Sequence, residues 1–580
     1  MTADEEDQLL IDSVAVAALE KRIRPEFENY LRGMQSQGWT QLVAAVRRVI
    51  EGERDISAFA SLDATDNRII KSTLDELANK EFLVTKILIN AQQMLGRSPE
   101  QAENLVAIAI NAMPENPNVH GVMGEVLQAK GNPKAALASY QRALSLKHDQ
   151  PVVMLNVGVI QTELKQFDDA VKTFKDILEI EPENIHAIFH LAYLYERSYR
   201  LNEAKELVER GLRLKPDSAE LWFITGKLRQ RGNDLKLAID AYEQAIQDQL
   251  QPALVGELYS RLGYLYDRVG EIARATDSFK RSNEEYAKQC RQRGVNGRTF
   301  LDEIDFLDRL AIANVDKAGE EDSCGLPTPV FLIGFPRSGT TLLNQILDSH
   351  NGIQTLEEKP SASNMVAELF KRMPHRPDAL TRLGPQDITL LRNAYYSTAG
   401  QFVTLDPSKV FIDKFPLNII YARILYRVFP KAKYILALRH PCDAALSCYM
   451  HSFGCNAAMA NFADMATTIS LLSKAQRLWQ RFADEAEVSM IRVRYEDLIS
   501  NFRGEAGRLL EFLGLPWDQD IEKYADKARV RGFIDTPSYD QVTEPLYSRA
   551  IGRWEHYGPL FQSSEATIKE MCVSYGYQYP

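Results

Sequence analysis

Two architectures are predicted in one chain: an all-α solenoid of helical hairpins, then a three-layer α/β domain that opens on a P-loop-like phosphate loop. Three observations carry this expectation. Small and large apolar residues recur every 34 residues through the first half. After about residue 328, short apolar runs alternate with helical patterns. The first of those runs ends in Gly334-Phe335-Pro336-Arg337-Ser338-Gly339-Thr340-Thr341, and an apolar helix follows.

The repeat comes first. Gly124, Gly158, Ala192 and Gly226 are each 34 residues apart, as are Ala102, Ala136, Ala170, Ala204 and Ala238. Tyr140, Phe174, Val208 and Tyr242 keep the same interval, and so do Ala109, Ala143, Ile177, Gly211 and Ala245. Pro114, Pro182 and Pro216 mark repeat ends, where proline stops a helix. After a three-residue shift, Gly263, Ala275 and Phe279 give one more unit. Each unit reads as two amphipathic helices, with a small residue permitting their close approach. Four marker positions in one register resemble the tetratricopeptide-repeat family, and about six units fit from near Leu83. The resemblance implies a right-handed solenoid with a concave groove. The marker residues read as solenoid core, and the array as a recruiter of a peptide or protein.

The expected domains are a helical cap or degenerate repeats at 1–82, the solenoid at 83–315, a linker at 316–328 and the α/β domain at 329–580. The linker expectation rests on the polar, Gly- and Pro-containing run Asp316 to Pro327. Strands are expected at Val330–Ile333, Val410–Ile412, Tyr434–Leu438 and Val488–Val493, buried in a parallel sheet.

Bulk properties narrow the function. Of 580 residues, 45% are hydrophobic and 25% charged, which are ordinary globular values. The net charge of −11 disfavours a general nucleic-acid binder. Six cysteines form no CxxC pair and have no His cluster beside them, so neither a disulfide framework nor a metal site is expected. The acidic N-terminal segment and the lack of an ~18-residue apolar run predict a cytoplasmic chain with no membrane span.

The chemistry is expected where the strands end. In open parallel sheets, ligands bind beyond the carboxyl ends of the strands. Gly334 and Gly339 permit a tight loop whose N–H groups, with the helix N-terminus, surround a phosphate. Arg337 adds a planar cation; Ser338, Thr340 and Thr341 add hydroxyls. No Lys precedes the threonine pair, so the loop is not a Walker A sequence and an ATPase is disfavoured. Asp413-Lys414-Phe415-Pro416 puts an ammonium at a second strand mouth. Arg439 at a third, with Ser447 eight residues on, suits one further phosphate. Val493-Arg494-Tyr495-Glu496-Asp497 follows the last strand.

Together these residues resemble the sulfotransferases that use 3′-phosphoadenosine 5′-phosphosulfate (PAPS), and most of all the tyrosylprotein sulfotransferases, from about Val330 to the C-terminus. The resemblance includes Asp348-Ser349-His350, Glu357-Glu358, Ser538-Tyr539-Asp540-Gln541-Val542 and Arg553-Trp554. It implies that the loop from Arg337 to Thr341 grips the 5′-phosphosulfate and that Arg439 with Ser447 holds the 3′-phosphate. It further implies Glu358 as catalytic base, Lys414, Ser538 and Arg337 at the transferring group, and Tyr495, Gln541 and Arg553 near the nucleotide. PAPS is then the co-substrate, adenosine 3′,5′-bisphosphate (PAP) the product, and no metal is needed.

The chain departs from that family in three ways. His451 stands where the family has an arginine, so nucleotide affinity is expected to follow the charge of His451. Lys359-Pro360-Ser361-Ala362-Ser363-Asn364 replaces arginines that hold acidic peptide, and the lumenal members' cysteines are missing. The expected reaction is sulfuryl transfer to a hydroxyl, with tyrosine in a peptide or protein as the leading acceptor. Two alternatives stay open: a carbohydrate, lipid or small-molecule hydroxyl, with the repeats serving assembly into a homodimer, and a nucleotide-binding scaffold without turnover.

Overall fold

A computed structural model of the chain describes residues 3–19, 24–247, 250–312, 325–374, 376–524 and 550–579. The chain divides into two compact units, Met1–Gln249 and Leu250–Pro580. The division falls inside the repeat array. The expected linker at 316–328 lies mostly outside the described residues.

In the first unit, helices Ala3–Leu19, Arg24–Ser36, Thr40–Glu51 and Ala64–Ala78 precede five helical hairpins, the first made of Lys80–Met94 and Pro99–Ala112. The early helices and the first repeats share one core, from Leu10, Val14 and Val46 to Leu83, Val106 and Val126. Proline at the first helical turn recurs at Pro99, Pro117, Pro133 and Pro151, where its missing N–H is no loss. The 34-residue markers translate into one repeated contact. A Cβ on Gly124 would lie 2.5 Å from the Tyr140 ring, on Gly158 2.6 Å from Phe174, and on Gly226 2.5 Å from Tyr242. Each glycine is thus the floor on which its repeat's ring, sixteen residues later, is laid.

The second unit begins with a sixth hairpin, Pro252–Arg268 and Ile272–Gln292. That hairpin packs on the α/β part: Asn283 Nδ2 donates to the Tyr449 carbonyl at 2.9 Å and Tyr286 Oη to the Gly454 carbonyl at 3.2 Å. Five parallel strands follow: β1 (Val330–Gly334), β2 (Ile353–Glu357), β3 (Val410–Lys414), β4 (Lys433–Leu438) and β5 (Ser489–Arg494), in the order β2-β3-β1-β4-β5. Successive strand residues point to opposite faces. Leu332, Ile412 and Ile435 pack with helices Thr340–Asp348 and Phe502–Leu513 on one face. Phe331 and Tyr434 meet Tyr395, Phe429, Trp479 and Phe482 on the other. The result is three layers.

Four strands fall where the apolar runs predict them. β2 has no such run: Ile-Gln-Thr-Leu-Glu is an edge strand with side chains only partly covered, so its pattern is mixed.

The glycine contacts carry a stability prediction. Gly226→Val is expected to lower stability by about 1–3 kcal/mol, because the new methyls enter the space of the buried Tyr242 ring. Gly33, inside helix Arg24–Ser36, has nothing within 4 Å of its Cβ position. Gly33→Ala is therefore expected to be neutral or to gain up to about 1 kcal/mol. Urea unfolding followed by circular dichroism separates the two outcomes.

Candidate active site

Each strand of the sheet delivers one candidate group at its carboxyl end. Read across the sheet, these are Glu357 ending β2 with Glu358 next to it, Lys414 on β3, the phosphate loop after β1, Arg439 after β4 and Tyr495 after β5. The chain runs from β1 to one side of the sheet and from β4 to the other. The crevice between those strands is the switch point where ligands enter such folds.

The phosphate loop is shaped before any ligand arrives. Gly334 pairs with Ala437 on β4, and a Cβ there would sit 2.6 Å from the Ala437 carbonyl oxygen. Arg337 has φ +68° and Gly339 φ +90°, so left-handed residues flank Ser338 in a tight turn that Ser338 N closes by donating to the Phe335 carbonyl at 3.2 Å. Helix Thr340–Asp348 starts at Gly339, and Ser338, Thr340 and Thr341 are buried. The Tyr495 ring lies against Gly339, 2.8 Å from where a Cβ would be, and the Arg439 guanidinium sits 5.0 Å over that ring.

Arg439 braces the loop from the other side. Its Nη1 donates to the Arg337 carbonyl at 3.0 Å, and its Nη2 donates to the Ala550 carbonyl. Its Nε is buried without a hydrogen-bond partner among the described residues, an orphaned donor of the kind an anion would satisfy. Arg337 Nε donates to Ser447 Oγ at 3.1 Å. The expected 5′ and 3′ grips, read as separate in the sequence, therefore touch. A two-phosphate nucleotide fits this donor set: a helix N-terminus, two guanidinium groups and four hydroxyls.

Beside the loop lies an ion cluster around one buried ammonium, with Glu357 half-buried and Glu358 exposed. Lys414 has no exposed surface, and its Nζ lies 2.7 Å from Glu358 Oε1 and 2.8 Å from Glu357 Oε1. Register explains the arrangement, because Glu357 is the β-ladder partner of Lys414. Glu358 N donates to the Lys414 carbonyl at 2.8 Å, and φ of +50° then turns the residue back toward the ammonium. Arg337 and Glu358 are the two non-glycine residues with positive φ among the described residues of this unit. Such conformations cost about 1–3 kcal/mol each and gather at functional sites.

Asp413 precedes Lys414 and points to the opposite face. It is fully buried, accepts a 2.7 Å hydrogen bond from Tyr395 Oη, and burial pushes its carboxyl up to about 7 against the opposing pull of that bond and of Lys414. His451 contradicts one expectation. Burial first, and then the nearby Arg337 charge, lower it to about 3, which favours the neutral imidazole rather than a charge that varies near neutral pH.

Other predicted residues fall into place differently. Arg553 is paired with Asp267 of helix Pro252–Arg268, Nη2 to Oδ2 at 2.7 Å and Nε to Oδ1 at 3.3 Å. Asp348 and His350 are structural: Asp348 accepts from Thr355 Oγ1 at 2.7 Å, and His350 Nε2 contacts the Pro516 carbonyl at 3.0 Å. Ser538 and Gln541 lie outside the described residues. Sequence reasoning passed over Glu357 as a second partner of Lys414, although its adjacency to Glu358 was visible. It also missed Asp443, a buried carboxylate that accepts from Gly552 N at 2.7 Å and Trp554 N at 3.1 Å. Among the described residues, no group of three or more His, Cys, Asp or Glu is arranged to hold a metal ion, and no helix is long and apolar enough to cross a membrane. The five described cysteines are free.

With this geometry in place, comparison with known proteins is direct. Residues 329–519 match the model of the sulfotransferase family, and two tetratricopeptide-repeat models match residues 122–185 and 161–228. The chain thus carries a sulfotransferase-class domain after a tetratricopeptide-repeat solenoid. An uncharacterized protein of Aquifex aeolicus is 23% identical over 427 residues, 71% of this chain and 54% of its own length. The chain therefore spans about half of that relative. Protein-tyrosine sulfotransferase 1 of Danio rerio is 27% identical over 261 residues, 43% of this chain and 72% of its own. Protein-tyrosine sulfotransferase A of Caenorhabditis elegans is 26% identical over 237 residues, 39% and 60% respectively.

Asp413 makes a pH prediction. Its folded value of about 7 lies above the unfolded ~3.9, so the folded chain keeps a proton that the unfolded chain releases. The folded state then binds more protons between about pH 4 and 7, and this residue's contribution to stability falls as pH rises through that window. Asp413→Asn keeps an acceptor for Tyr395 and removes the titration. Urea midpoints from pH 4.5 to 8 are expected to show the variant gaining on the unaltered chain up to about pH 7, then running parallel.

Proposed function

We propose that the chain transfers a sulfuryl group from PAPS to an acceptor hydroxyl, with the hydroxyl of a tyrosine in a peptide or protein as the leading acceptor. One observation carries the reading. A fully buried ammonium, Lys414, is held by the strand-end carboxylates Glu357 and Glu358 one strand away from a preshaped phosphate loop. An ATPase loop would need its own lysine, and this loop has none.

The steps follow from the charges. The 5′-phosphosulfate lies in the loop of Arg337, Ser338, Gly339, Thr340 and Thr341, and the 3′-phosphate meets Arg439 and Ser447. The acceptor oxygen attacks sulfur in line with the leaving phosphate oxygen, as in phosphoryl transfer. Glu358 takes the hydroxyl proton as the new O–S bond forms. The S–O bond to the phosphate breaks, and its electron pair stays on PAP. Lys414 and Arg337 stabilise the charge that gathers on the sulfuryl and leaving oxygens. The ion pair of Lys414 with Glu358 must open for this, so the donor exchanges one carboxylate partner of Lys414 for an anionic oxygen while Glu357 keeps the ammonium satisfied. Ser538 would add a further donor at the transferring group and Gln541 a contact near the nucleotide.

The relatives named as protein-tyrosine sulfotransferases support the tyrosine acceptor, and the repeats suit recruitment of a protein substrate. The segment after Glu358 lacks the arginines that would hold an acidic peptide: Lys359 faces the Phe402 ring at 5.2 Å, and helix Ser361–Arg372 starts at once.

Transfer of labelled sulfate from PAPS to a panel of tyrosine, serine, saccharide and phenol acceptors tests the proposal. Product should appear on tyrosine peptides; label confined to saccharides or phenols would remove that acceptor. Glu358→Gln and Lys414→Met are each expected to lower kcat by roughly 10²–10⁴-fold. Both should retain PAP binding by calorimetry, whereas Arg439→Ala should weaken it by about 10–100-fold through loss of charged hydrogen bonds.

A further inference from the structure

The sixth helical hairpin lacks a bond that two of its fellow repeats make. In the repeats at Gly124 and Gly226, the residue four positions after the glycine is a glutamine that accepts from the same repeat's own tyrosine. Tyr140 Oη donates to Gln128 at 3.3 Å, and Tyr242 Oη donates to Gln230 at 3.2 Å. The sixth hairpin has Gly263, and its ring sixteen residues on is Phe279, packed 2.6 Å from the glycine's Cβ position. Phenylalanine has no hydroxyl to donate. The matching position is Asp267, a carboxylate released from the internal bond.

Asp267 turns instead to the segment that re-enters the site at Ala550. It receives Arg553 through the Nε and Nη2 edge in a two-pronged fork, and Tyr557 Oη at 2.6 Å. One turn earlier on the same helix face, the Tyr264 ring lies 5.8 Å from the Arg553 guanidinium carbon. The returning segment is tied on its other side by Asp443, through Gly552 N and Trp554 N, and by Arg439 through the Ala550 carbonyl. The same Arg439 holds the Arg337 carbonyl of the phosphate loop. A chain of direct contacts therefore runs from the repeat hairpin to the loop.

We propose that Asp267 is a positioning residue for the nucleotide site, and that the last repeat hairpin is a wall of that site rather than only part of a recruitment array. Asp267 fixes Arg553 by one edge of its guanidinium and leaves the Nη1 edge for an anionic group of the donor. A guanidinium has five donors, so one carboxylate does not exhaust it. This inference rests on the PAPS reading above.

The test uses the full-length chain and PAP binding by calorimetry, with donor KM and kcat measured alongside. Asp267→Ala is expected to weaken PAP binding roughly tenfold and raise donor KM in step, with kcat within about threefold, as loss of a charge-assisted hydrogen bond would do. Asp267→Glu should recover most of the affinity. In a double-mutant cycle on PAP affinity, Asp267→Ala should add little to Arg553→Ala, because its effect on the nucleotide runs through Arg553, whereas the bond from Tyr557 Oη is read in the stability of the variant. Near-ultraviolet circular dichroism reports whether each variant keeps its fold; if Asp267→Ala does not, Asp267→Asn takes its place in the cycle. PAP affinity unchanged in the folded variant, or additive losses in the cycle, would overturn the proposal while leaving the sulfotransferase reading intact. An unaltered chain that does not bind PAP at all would instead overturn that reading, and this inference with it.

Discussion

A buried ammonium sets the terms for the active site. Lys414 sits on the second strand of the sheet with no exposed surface, and a lone charge there would be prohibitively costly. The register answers this by placing Glu357 directly opposite, and Glu358 closes the shell. The same need explains the left-handed backbone at Glu358. Its N–H extends the ladder by one bond to the Lys414 carbonyl, and only a turn back at that residue brings the carboxylate to the ammonium. Strain, ladder and ion pair are one solution to one problem. Because β3 also pairs with β1, Leu332 against Lys414, the cluster is fixed relative to the phosphate loop two residues further on.

The arginines solve the opposite problem, that of holding positive charge ready in a chain of net charge −11. Arg439 is braced by two carbonyl oxygens and a tyrosine ring, and Arg337 by the Ser447 hydroxyl. Carbonyls orient a guanidinium without neutralising it. Arg553 differs because it is matched by a carboxylate, so its part of the site carries less field and more geometry. Charge concentrated at the loop and structure at the rim is the distribution expected of preorganised electrostatic stabilisation.

What the sequence made legible follows from range. The repeats could be read because one local contact, glycine under ring at a spacing of sixteen, is stamped out several times. β1, β3 and β4 could be read because they are largely buried on both faces, and β5, a half-exposed edge strand, because Met490, Ile491 and Val493 still make an apolar run, whereas β2, the other edge, has the mixed sequence Ile-Gln-Thr-Leu-Glu. The loop from Arg337 to Thr341 is contiguous, so its hydroxyls and glycines announce themselves. Lys414 could be placed at a strand mouth, but Glu358 was reachable only through a family likeness, since their contact spans 56 residues and nothing local marks it. The neutral state of His451 depends on burial, which no spacing reveals. The pairing of Arg553 with Asp267 spans 286 residues and two regions that composition assigns to different domains.

That last pairing bears on what a repeat array is for. Terminal repeats must cover a face that inner repeats bury against a neighbour. A polar surface is one way to do so; another is to pack the face on a different fold. The sixth hairpin takes the second course, with Asn283 and Tyr286 bonded to carbonyls of the α/β part and Asp267 to its returning segment. Once a repeat is used in this way, its internal bonds become available for substitution. Phe279 stands where two other repeats have Tyr140 and Tyr242, and Asp267 where they have Gln128 and Gln230; the bond inside those repeats is absent here, and Asp267 bonds Arg553 and Tyr557 of the α/β part instead. The boundary between the two compact units therefore falls within the array, one hairpin before the repeats end, and the change of composition near residue 316 lies inside the second unit rather than at its beginning.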